Sequence, residues 1–350
     1  MTRVLVTGAA GFVGFHFVKR LCASGGYTIM GIDNLNDYYD VSLKQGRLKV
    51  LERCKNFTFK VLDLADDAGM AALFSTFKPE IVVNLAAQAG VRYSLQNPKA
   101  YVQSNVTGFL NVLEGCRHNG VRHLVFASSS SVYGANRKLP FSEKDNVDHP
   151  VSLYAATKKG GELMAHSYAH LYGIPCTGLR FFTVYGPWGR PDMAYFKFSN
   201  AIVAGKAIDV YNNGDMKRDF TYIDDIVESM ERVLEFIPKS NPSYDAMNPD
   251  PSLSADPYRI YNIGAHSPEN LMDLIQIVEE ELGIEAKKNF LPMQPGDVYA
   301  TYADTDSLEA AVGFRPKTSL REGMKKFMEW YKDYYSVGAG SAQQKSAAKV

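Results

Sequence analysis

The 350-residue sequence predicts an α/β protein built on a doubly wound parallel sheet, with a smaller α/β domain toward the C-terminus. Two observations predict this fold class. Short apolar runs rich in β-branched residues alternate with segments of helical periodicity as far as position 186. These runs are apolar on both faces, which is typical of parallel strands that are covered by helices on either side of a sheet.

The predicted elements follow one another in a regular order. Strands are expected over residues 4–8, 27–33, 57–64, 81–87, 123–130 and 176–186. A helix is expected to follow the first strand and to end at residue 21. Further helices are expected over residues 68–77, 98–118 and 154–171. The alternation breaks after residue 186, and the proline-rich stretch 238–257 has no periodicity, so we expect it to be a surface loop.

The domain boundaries follow from this break. We predict a first domain over residues 1–180 and a second, interleaved domain over residues 181–335. Segments near 222–236 and 259–264 have the pattern of elements that return to the sheet of the first domain. The small and polar tail 336–350 is predicted to be disordered.

Composition narrows the class of protein. The balance of 38 Lys and Arg against 38 Asp and Glu argues against nucleic acid or an anionic membrane as the main partner. The sequence lacks a signal-peptide pattern and an apolar stretch long enough to span a bilayer, and its four cysteines are scattered. His166 and His170 stand four apart without a third ligand at a suitable spacing, so no metal is expected. We expect a cytoplasmic globular protein.

A glycine-rich turn, TGAAGFVG, lies between the first strand and its helix. Gly8, Gly11 and Gly14 permit close approach of a pyrophosphate, and the helix N-terminus at Phe12 and Val13 supplies N–H donors. An acid, Asp33, ends the second strand 19 residues beyond the last glycine. A carboxylate there can bind both ribose hydroxyls and would repel a 2′-phosphate, which favours NAD over NADP.

Further cofactor contacts are expected where the second and third strands end. Asn34 directly follows Asp33, and Asp63 and Leu64 end the third strand. Asp63 is a candidate for an adenine contact, although a solvated carboxylate at a strand end is an equally simple interpretation.

The GxxGxxG spacing resembles that of the short-chain dehydrogenase/reductase superfamily, and the length resembles its extended branch, which acts on nucleotide sugars. NLAAQ (84–88) matches a strand-end motif of that branch, which implies that the backbone near Ala86 and Ala87 lines the cofactor. Asn105 lies where the superfamily usually keeps a structural asparagine.

YAATK places Tyr154 and Lys158 four apart on a predicted helix, and therefore on one face. A phenol titrates near pH ~10, but a nearby ammonium and the positive nicotinamide ring both favour phenolate. Bringing that pKa near 7 requires about 4 kcal/mol of differential stabilisation. In SSSSVYG (128–134), the resemblance makes Ser129 the catalytic hydroxyl, which would hold the reacting oxygen and relay its proton.

The neighbouring serines indicate the type of reaction. Ser130 and Ser131 stand where similar sugar-nucleotide 4,6-dehydratases carry an Asp–Glu pair, and where UDP-glucuronate decarboxylases carry a Glu in the second place. Serine at its ordinary pKa does not act as the acid or base that elimination requires. The site is therefore expected to oxidise C4 and reduce it again, which is an epimerisation.

Three longer stretches resemble the UDP-glucuronate 4-epimerase family: GIDNLNDYYDVSLKQGRL (31–48), AAQAGVRYS (86–94) and RFFTVYGPWGRPDMA (180–194). The resemblance extends from about residue 4 to residue 331. It implies a reversible conversion of UDP-glucuronate to UDP-galacturonate for polysaccharide biosynthesis, through a 4-keto intermediate and transient hydride transfer to bound NAD, in a homodimer.

The same resemblance implies a substrate site. Hydroxyls of Ser129, Ser130 and Thr183 would hold the sugar carboxylate, and Arg218 would grip the diphosphate. Arg190 and Arg92 would lie near the sugar, although a salt bridge on the rim of the site is an equal alternative for Arg92. Gln294 departs from the phosphate-binding arginine of UDP-galactose epimerases.

Other functions stay open at this point. A UDP-glucose/UDP-galactose 4-epimerase is the nearest, although such enzymes tend to carry asparagine in place of Thr183. A UDP-glucuronate decarboxylase lacks support because no glutamate precedes Val132. A non-enzymatic NAD-sensing protein typically lacks the Tyr or the Lys of the YxxxK motif.

Overall fold

The computed structural model of the protein describes residues 1–294 and 298–337. Its strands are β1 (Thr2–Thr7), β2 (Tyr27–Asp33), β3 (Phe57–Val61), β4 (Ile81–Asn84), β5 (His123–Ser129), β6 (Cys176–Phe181), β7 (Thr183–Tyr185), β8 (Ile208–Tyr211), β9 (Lys217–Tyr222), β10 (Tyr258–Ile263), β11 (Pro268–Asn270) and β12 (Lys288–Leu291). Its α-helices are α1 (Phe12–Ser24), α2 (Val41–Leu51), α3 (Asp67–Phe77), α4 (Tyr93–Gln96), α5 (Pro98–Val102), α6 (Gly108–His118), α7 (Leu153–Tyr172), α8 (Ala194–Val203), α9 (Ile223–Glu235), α10 (Leu271–Leu282), α11 (Asp306–Val312) and α12 (Leu320–Tyr334).

Seven parallel strands form the central sheet, in the order β3-β2-β1-β4-β5-β6-β10. The order reverses between β1 and β4, as in a dinucleotide-binding (Rossmann) sheet. The predicted fold class is therefore confirmed. The last strand, β10, comes from the second half of the chain and pairs with β6.

Side chains alternate between the two faces of the sheet and are buried on both. Val4 and Val6 of β1 pack in one apolar cluster with helix α1, whereas Leu5 packs in a second cluster with α3 and α6. The first cluster continues into the C-terminal half through Phe196 and Phe327. The sheet and the smaller sheets beyond it thus share one continuous core.

Beyond β6 the chain forms two small sheets, β11-β9-β7 and β12-β8. The prediction of one strand over residues 176–186 is wrong, because β6 ends at Phe181 and β7 pairs with β9 in a different sheet. Phe182, between them, packs with Val132 and Phe141 in a separate apolar cluster. This packing turns the strand away from the central sheet.

The helix predicted over residues 98–118 is interrupted. Helices α5 and α6 are joined by a π-helical turn at Gln103–Thr107. Such turns are frequent at functional sites.

In the part of the chain that the structure describes, no helix combines the length and the apolar character that crossing a membrane requires. The tail prediction falls mostly outside the described residues, which end at position 337.

Candidate active site

The site lies at the carboxyl edge of the central sheet, where β1 and β4 are neighbours and the chain departs from them in opposite directions. The Thr7 hydroxyl donates to Asn84 Oδ1 at 2.7 Å and accepts from the Ala86 N–H at 3.0 Å. These bonds hold the segment after β4 against the turn after β1. A ligand groove at this position is expected for an open parallel sheet.

The glycine turn fits closely against that segment. Gly8 has a φ of 70°, and a Cβ placed on it would lie 2.8 Å from the Ala86 nitrogen. A Cβ on Gly14 would lie 2.1 Å from the Gly8 carbonyl oxygen. Helix α1 begins after Gly11, and no side chain caps its first N–H groups. The turn thus presents unpaired donors at the positive end of a helix, which fits the pyrophosphate of a dinucleotide.

One groove brings the predicted cofactor residues together, except Tyr154 and Lys158. Along its lining lie Gly8, Gly11, Phe12, Val13, Gly14, Asp33, Asn34, Asp63, Leu64, Ala86 and Ala87.

One end of this groove is formed by the ends of β2 and β3. The carboxylates of Asp33 and Asp63 are held in place there. Asp33 is buried and accepts from the Leu35 N–H at 2.9 Å. Asn34 Nδ2 donates to Asp63 Oδ2 at 2.8 Å, which links the ends of β2 and β3. This end of the groove thus offers oriented acceptors for ribose hydroxyls.

Sequence reasoning missed helix α2 and the two cations that it buries. Lys44 lines the groove, and its Nζ lies 3.8 Å from Asp33 Oδ1 and 2.8 Å from the Asn36 carbonyl oxygen. Burial lowers the pKa of Lys44, and Asp33 opposes this effect. The three-residue spacing of Lys44 and Arg47 places both on one face of a helix, which is the signal that was available in the sequence.

Arg47 ties the cofactor turn to a distant loop. Its guanidinium is fully buried and donates to the carbonyl oxygens of Ala10, Trp188 and Gly189. It also donates to the Tyr39 hydroxyl at 2.7 Å. The loop that carries residues 188–192 is therefore fixed against the glycine turn.

Helix α7 carries the YxxxK pair. Ser152 caps its N-terminus, and Tyr154 and Lys158 follow on one face. Lys158 is buried, and its Nζ donates to the Ala127 carbonyl oxygen at 2.9 Å. Burial lowers the pKa of Lys158 to about 8, against the opposing charge of Glu162. Lys158 lines a chamber beside the cofactor groove, and Ala86 and Ala87 border both.

Tyr154 is half-buried, and desolvation raises the pKa of its phenol. A hydrogen bond with Ser129 and the charge of Arg190 act in the opposite direction. The Tyr101 ring lies 6.0 Å from the Tyr154 ring. The structure thus brings Tyr154 and Ser129 together, as the sequence predicted, and adds Arg190 as a nearby cation.

The four consecutive serines, 128–131, point in different directions. Ser128 points inward and donates to Glu162 Oε1 at 2.6 Å. Ser129 ends β5, and its Oγ lies 3.1 Å from Ser131 Oγ. Ser130 and Ser131 line a different pocket. Ser129 is therefore the serine that lies at Tyr154.

Asn105 lies in the π-helical turn and clamps the strand-end motif. Its Oδ1 accepts from the Gln88 N–H at 2.8 Å, and its Nδ2 donates to the Gln88 carbonyl at 3.0 Å. Nδ2 also lies 3.1 Å from Thr157 Oγ1 on α7. The turn thus links the NLAAQ segment to the YxxxK helix.

A second pocket holds part of the predicted substrate set. Ser130, Thr183 and Arg218 line it together, and their neighbours are Val91, Ser131, Tyr133, Gly134, Phe141, Val151, Ser152, Val298 and Thr301. This lining combines hydroxyls with one guanidinium, a set that suits an anionic sugar nucleotide.

Two predicted substrate arginines lie elsewhere. Arg190 lines the cofactor groove, and its Nε donates to Asp192 Oδ1 at 3.0 Å. Arg92 extends over the Tyr211 ring, with its guanidinium carbon 5.0 Å from the ring centroid. Long side chains from loops adopt positions that depend on distant partners, so sequence spacing did not place them.

The chain resembles known proteins over nearly its whole length. The model of the NAD dependent epimerase/dehydratase family matches residues 4–264. A probable UDP-glucuronate 4-epimerase of Rhizobium meliloti is 50% identical over 95% of this chain and 98% of its own. UDP-glucuronate 4-epimerase 3 of Arabidopsis thaliana is 49% identical over 97% of this chain and 78% of its own.

Among solved structures, UDP-glucuronic acid 4-epimerase from Bacillus cereus, in complex with UDP-glucuronic acid and NAD, superimposes with a TM-score of 0.83. It is 31% identical, and the match covers 95% of this chain and 100% of that one.

Proposed function

The chain belongs to the NAD dependent epimerase/dehydratase family, and we propose that it is a UDP-glucuronate 4-epimerase. The reaction is the reversible inversion of C4 that converts UDP-glucuronate to UDP-galacturonate. One observation carries the choice of reaction: Ser130, Ser131 and Thr183 line the second pocket, and its described lining contains no carboxylate. Elimination at C5 and C6 needs an acid and a base at that place, and hydroxyls do not supply them.

NAD is the cofactor, and its nicotinamide supplies a reversible acceptor for a hydride from C4 of the sugar. The chain's own residues provide its binding site. The glycine turn and the first N–H groups of α1 bind the pyrophosphate. Asp33, which lines the groove, would accept hydrogen bonds from the adenosine ribose, and Lys158, which lines the adjoining chamber, would reach the other ribose.

Tyr154 is the base in this proposal. As phenolate it takes the proton of the 4-hydroxyl, and Ser129 bridges the two oxygens. Because burial raises the pKa of Tyr154, the phenolate depends on the opposing groups around it, namely the Ser129 hydroxyl and the Arg190 guanidinium. When the sugar has turned in the pocket and presents its other face, Tyr154 returns the proton to the C4 oxygen.

The second pocket determines which sugar is accepted. Hydroxyls of Ser130 and Thr183, which line this pocket, hold the carboxylate of the uronic acid, and Arg218 binds the diphosphate. Arg190 acts from the cofactor groove, where its charge reaches Tyr154. Fixing the carboxylate also protects the intermediate, because a β-keto acid loses carbon dioxide when its carboxylate turns out of the plane of the ketone.

Incubation of the protein with UDP-glucuronate alone tests the reaction and the sugar together. We expect UDP-galacturonate to accumulate until equilibrium without added NAD, as resolved by anion-exchange chromatography. A UDP-pentose or a dehydrated sugar as the main product would disprove the proposal. Faster turnover of UDP-glucose than of UDP-glucuronate would favour the neutral-sugar epimerase instead.

Tyr154→Phe tests the assignment of the base. It removes the hydroxyl and keeps the ring that lies against Tyr101. We expect a loss of turnover of about 10³-fold with the fold and bound NAD retained, since general base catalysis typically supplies 10²- to 10⁴-fold. Turnover within tenfold of wild type would contradict the assignment.

We propose a homodimer that packs through α6 and α7. Leu110, Leu163 and Leu171 on these helices are 41, 58 and 64% exposed, which leaves apolar surface for a second copy. Sedimentation at micromolar concentration should show a dimer, and Leu163→Glu should shift it toward monomer. A wild-type protein that sediments as a monomer would contradict this arrangement.

We also propose a division of labour between the two domains. Residues 1–180, with the returning segments 222–236 and 259–264, supply most of the cofactor groove. Residues 181–335 contribute Thr183 and Arg218 to the second pocket, whose lining otherwise comes mostly from positions 91–152. A cytoplasmic location is supported by the four cysteines, all of which are free thiols.

A further inference from the structure

A buried ion pair lies directly behind the catalytic residues. Glu162 follows Lys158 by one turn of α7 and is 1% exposed. Its Oε1 accepts from Ser128 Oγ at 2.6 Å and from Arg180 Nε at 2.8 Å. Its Oε2 accepts from Arg180 Nη2 at 2.9 Å. The pair is thus bidentate, and the serine beside the catalytic one completes it.

Arg180 extends the pair across the sheet. It lies on β6, is fully buried, and donates from Nη1 to the Tyr133 hydroxyl at 3.1 Å. That hydroxyl in turn donates to Asn262 Oδ1 on β10 at 2.7 Å. Helix α7 is therefore bonded through one carboxylate to three neighbouring strands of the sheet, β5, β6 and β10.

Burying two charges is a weak way to gain stability, because desolvation offsets most of their attraction. The Glu162–Arg180 pair instead lies where it can fix the positions of the reacting side chains. Lys158 donates to the carbonyl of Ala127, Glu162 accepts from the next residue, Ser128, and the residue after that is Ser129. Two successive bonds thus attach α7 to β5 immediately before the serine that faces Tyr154.

We propose that Glu162, held by Arg180, is a positioning residue for the epimerisation: it fixes α7 on the end of β5 and supplies the negative charge that faces Lys158. The proposal rests on the function inferred above for Tyr154, Lys158 and Ser129. Loss of the Glu162 carboxylate therefore changes the distance between the Ser129 and Tyr154 hydroxyls. It also changes the charge state of Lys158.

The surroundings of Lys158 make this charge effective. Asn84 on β4, Asn105 in the π-helical turn and Phe126 on β5 line its chamber and carry no charge. Glu162 is the carboxylate that acts on it, and Glu162 is itself within 3.5 Å of Lys159 Nζ. Burial lowers the pKa of Lys158 to about 8 and Glu162 opposes the shift, so removal of Glu162 lowers that pKa further.

The test is Glu162→Gln, which keeps the shape and removes the charge. We expect kcat for UDP-glucuronate to fall about tenfold or more, since small misplacements of reacting groups have effects of that size. KM should stay within about threefold, because Glu162 lies outside the second pocket. The alkaline limb of the pH profile should move to lower pH. A crystal structure of the variant should show Lys158 Nζ or Ser129 displaced.

Asp225→Asn is the matched control. Asp225 is also buried and accepts hydrogen bonds, from the backbone N–H groups of Lys317 and Thr318, but it does not act on Lys158. We expect the alkaline limb of the pH profile of Asp225→Asn to coincide with that of wild type. An unchanged limb in Glu162→Gln, or an equal shift in the control, would overturn the proposal.

Two further results separate the role of Glu162 from the proposed epimerase function. Wild-type protein that leaves UDP-glucuronate unchanged would refute the proposed function, whatever Glu162 does. If Glu162→Gln does not fold, Ser128→Ala tests the positioning role instead, because it removes only the hydrogen bond from Ser128 to Glu162. A fall in kcat of about threefold or more at unchanged KM supports the positioning role, and wild-type kcat refutes it.

Discussion

Gly14→Ala should damage both the fold and cofactor binding. A Cβ at Gly14 would lie 2.8 Å from the Gly8 carbonyl carbon and 2.1 Å from its oxygen, and the second distance is more than 1 Å short of ordinary van der Waals contact. Both atoms belong to the backbone of the glycine turn, so relief requires α1 to move away from β1. Overpacking of this kind costs about 3 kcal/mol, and the same movement withdraws the N–H groups that bind pyrophosphate.

Gly11→Ala is the graded comparison. Its Cβ would lie 3.0 Å from the same carbonyl oxygen, so a movement of a few tenths of an ångström accommodates it at a cost of about 1 kcal/mol. Urea unfolding at pH 7.5 gives the two free energies of unfolding, and the 260 to 280 nm absorbance ratio after gel filtration gives the bound NAD. A Gly14→Ala protein with wild-type stability and a full complement of NAD would refute the steric reasoning.

Three other substitutions or conditions test the site. Arg47→Met should lower the free energy of unfolding by about 3 kcal/mol, because it leaves buried carbonyls of Ala10, Trp188 and Gly189 without donors; a loss below about 1 kcal/mol in urea unfolding would contradict this. Tyr38→Phe removes the hydrogen bond from its hydroxyl to Asp192 at 3.1 Å, which ties Tyr38 in the cofactor groove to the partner of Arg190, and should speed NAD release about fivefold in stopped-flow fluorescence; an unchanged release rate would contradict this expectation. The wild-type kcat/KM should fall as the pH rises through about 8, where the buried Lys158 loses its proton, and a flat profile to pH 9.5 would disprove that assignment.

The parts of the site that sequence predicted are local ones. Gly8, Gly11 and Gly14 belong to a single turn, and its spacing specifies both the backbone path and the ligand that the turn accepts. Tyr154 and Lys158 share one face because any helix places residues four apart together. In each case the relevant atoms lie within a few residues of one another, so no knowledge of the fold was needed to place them.

Other features depended on contacts between distant segments. The sequence offers four similar serines at 128–131, and only the packing of α7 on β5 turns Ser128 toward Glu162 and leaves Ser129 at Tyr154. The place of Arg190 in the cofactor groove beside Asp192 is likewise set by tertiary contacts of its loop.

The sequence by itself determined the class of fold, the glycine turn and the shared helix face of Tyr154 and Lys158, because periodicity and short spacing encode them. The tertiary structure alone decided which buried charges support that pair. Glu162 meets Arg180 across 18 positions, and Arg47 meets Trp188 across 141. A charge is buried only when the fold supplies its partner, and such partners come from any part of the chain, at separations that no sequence pattern records.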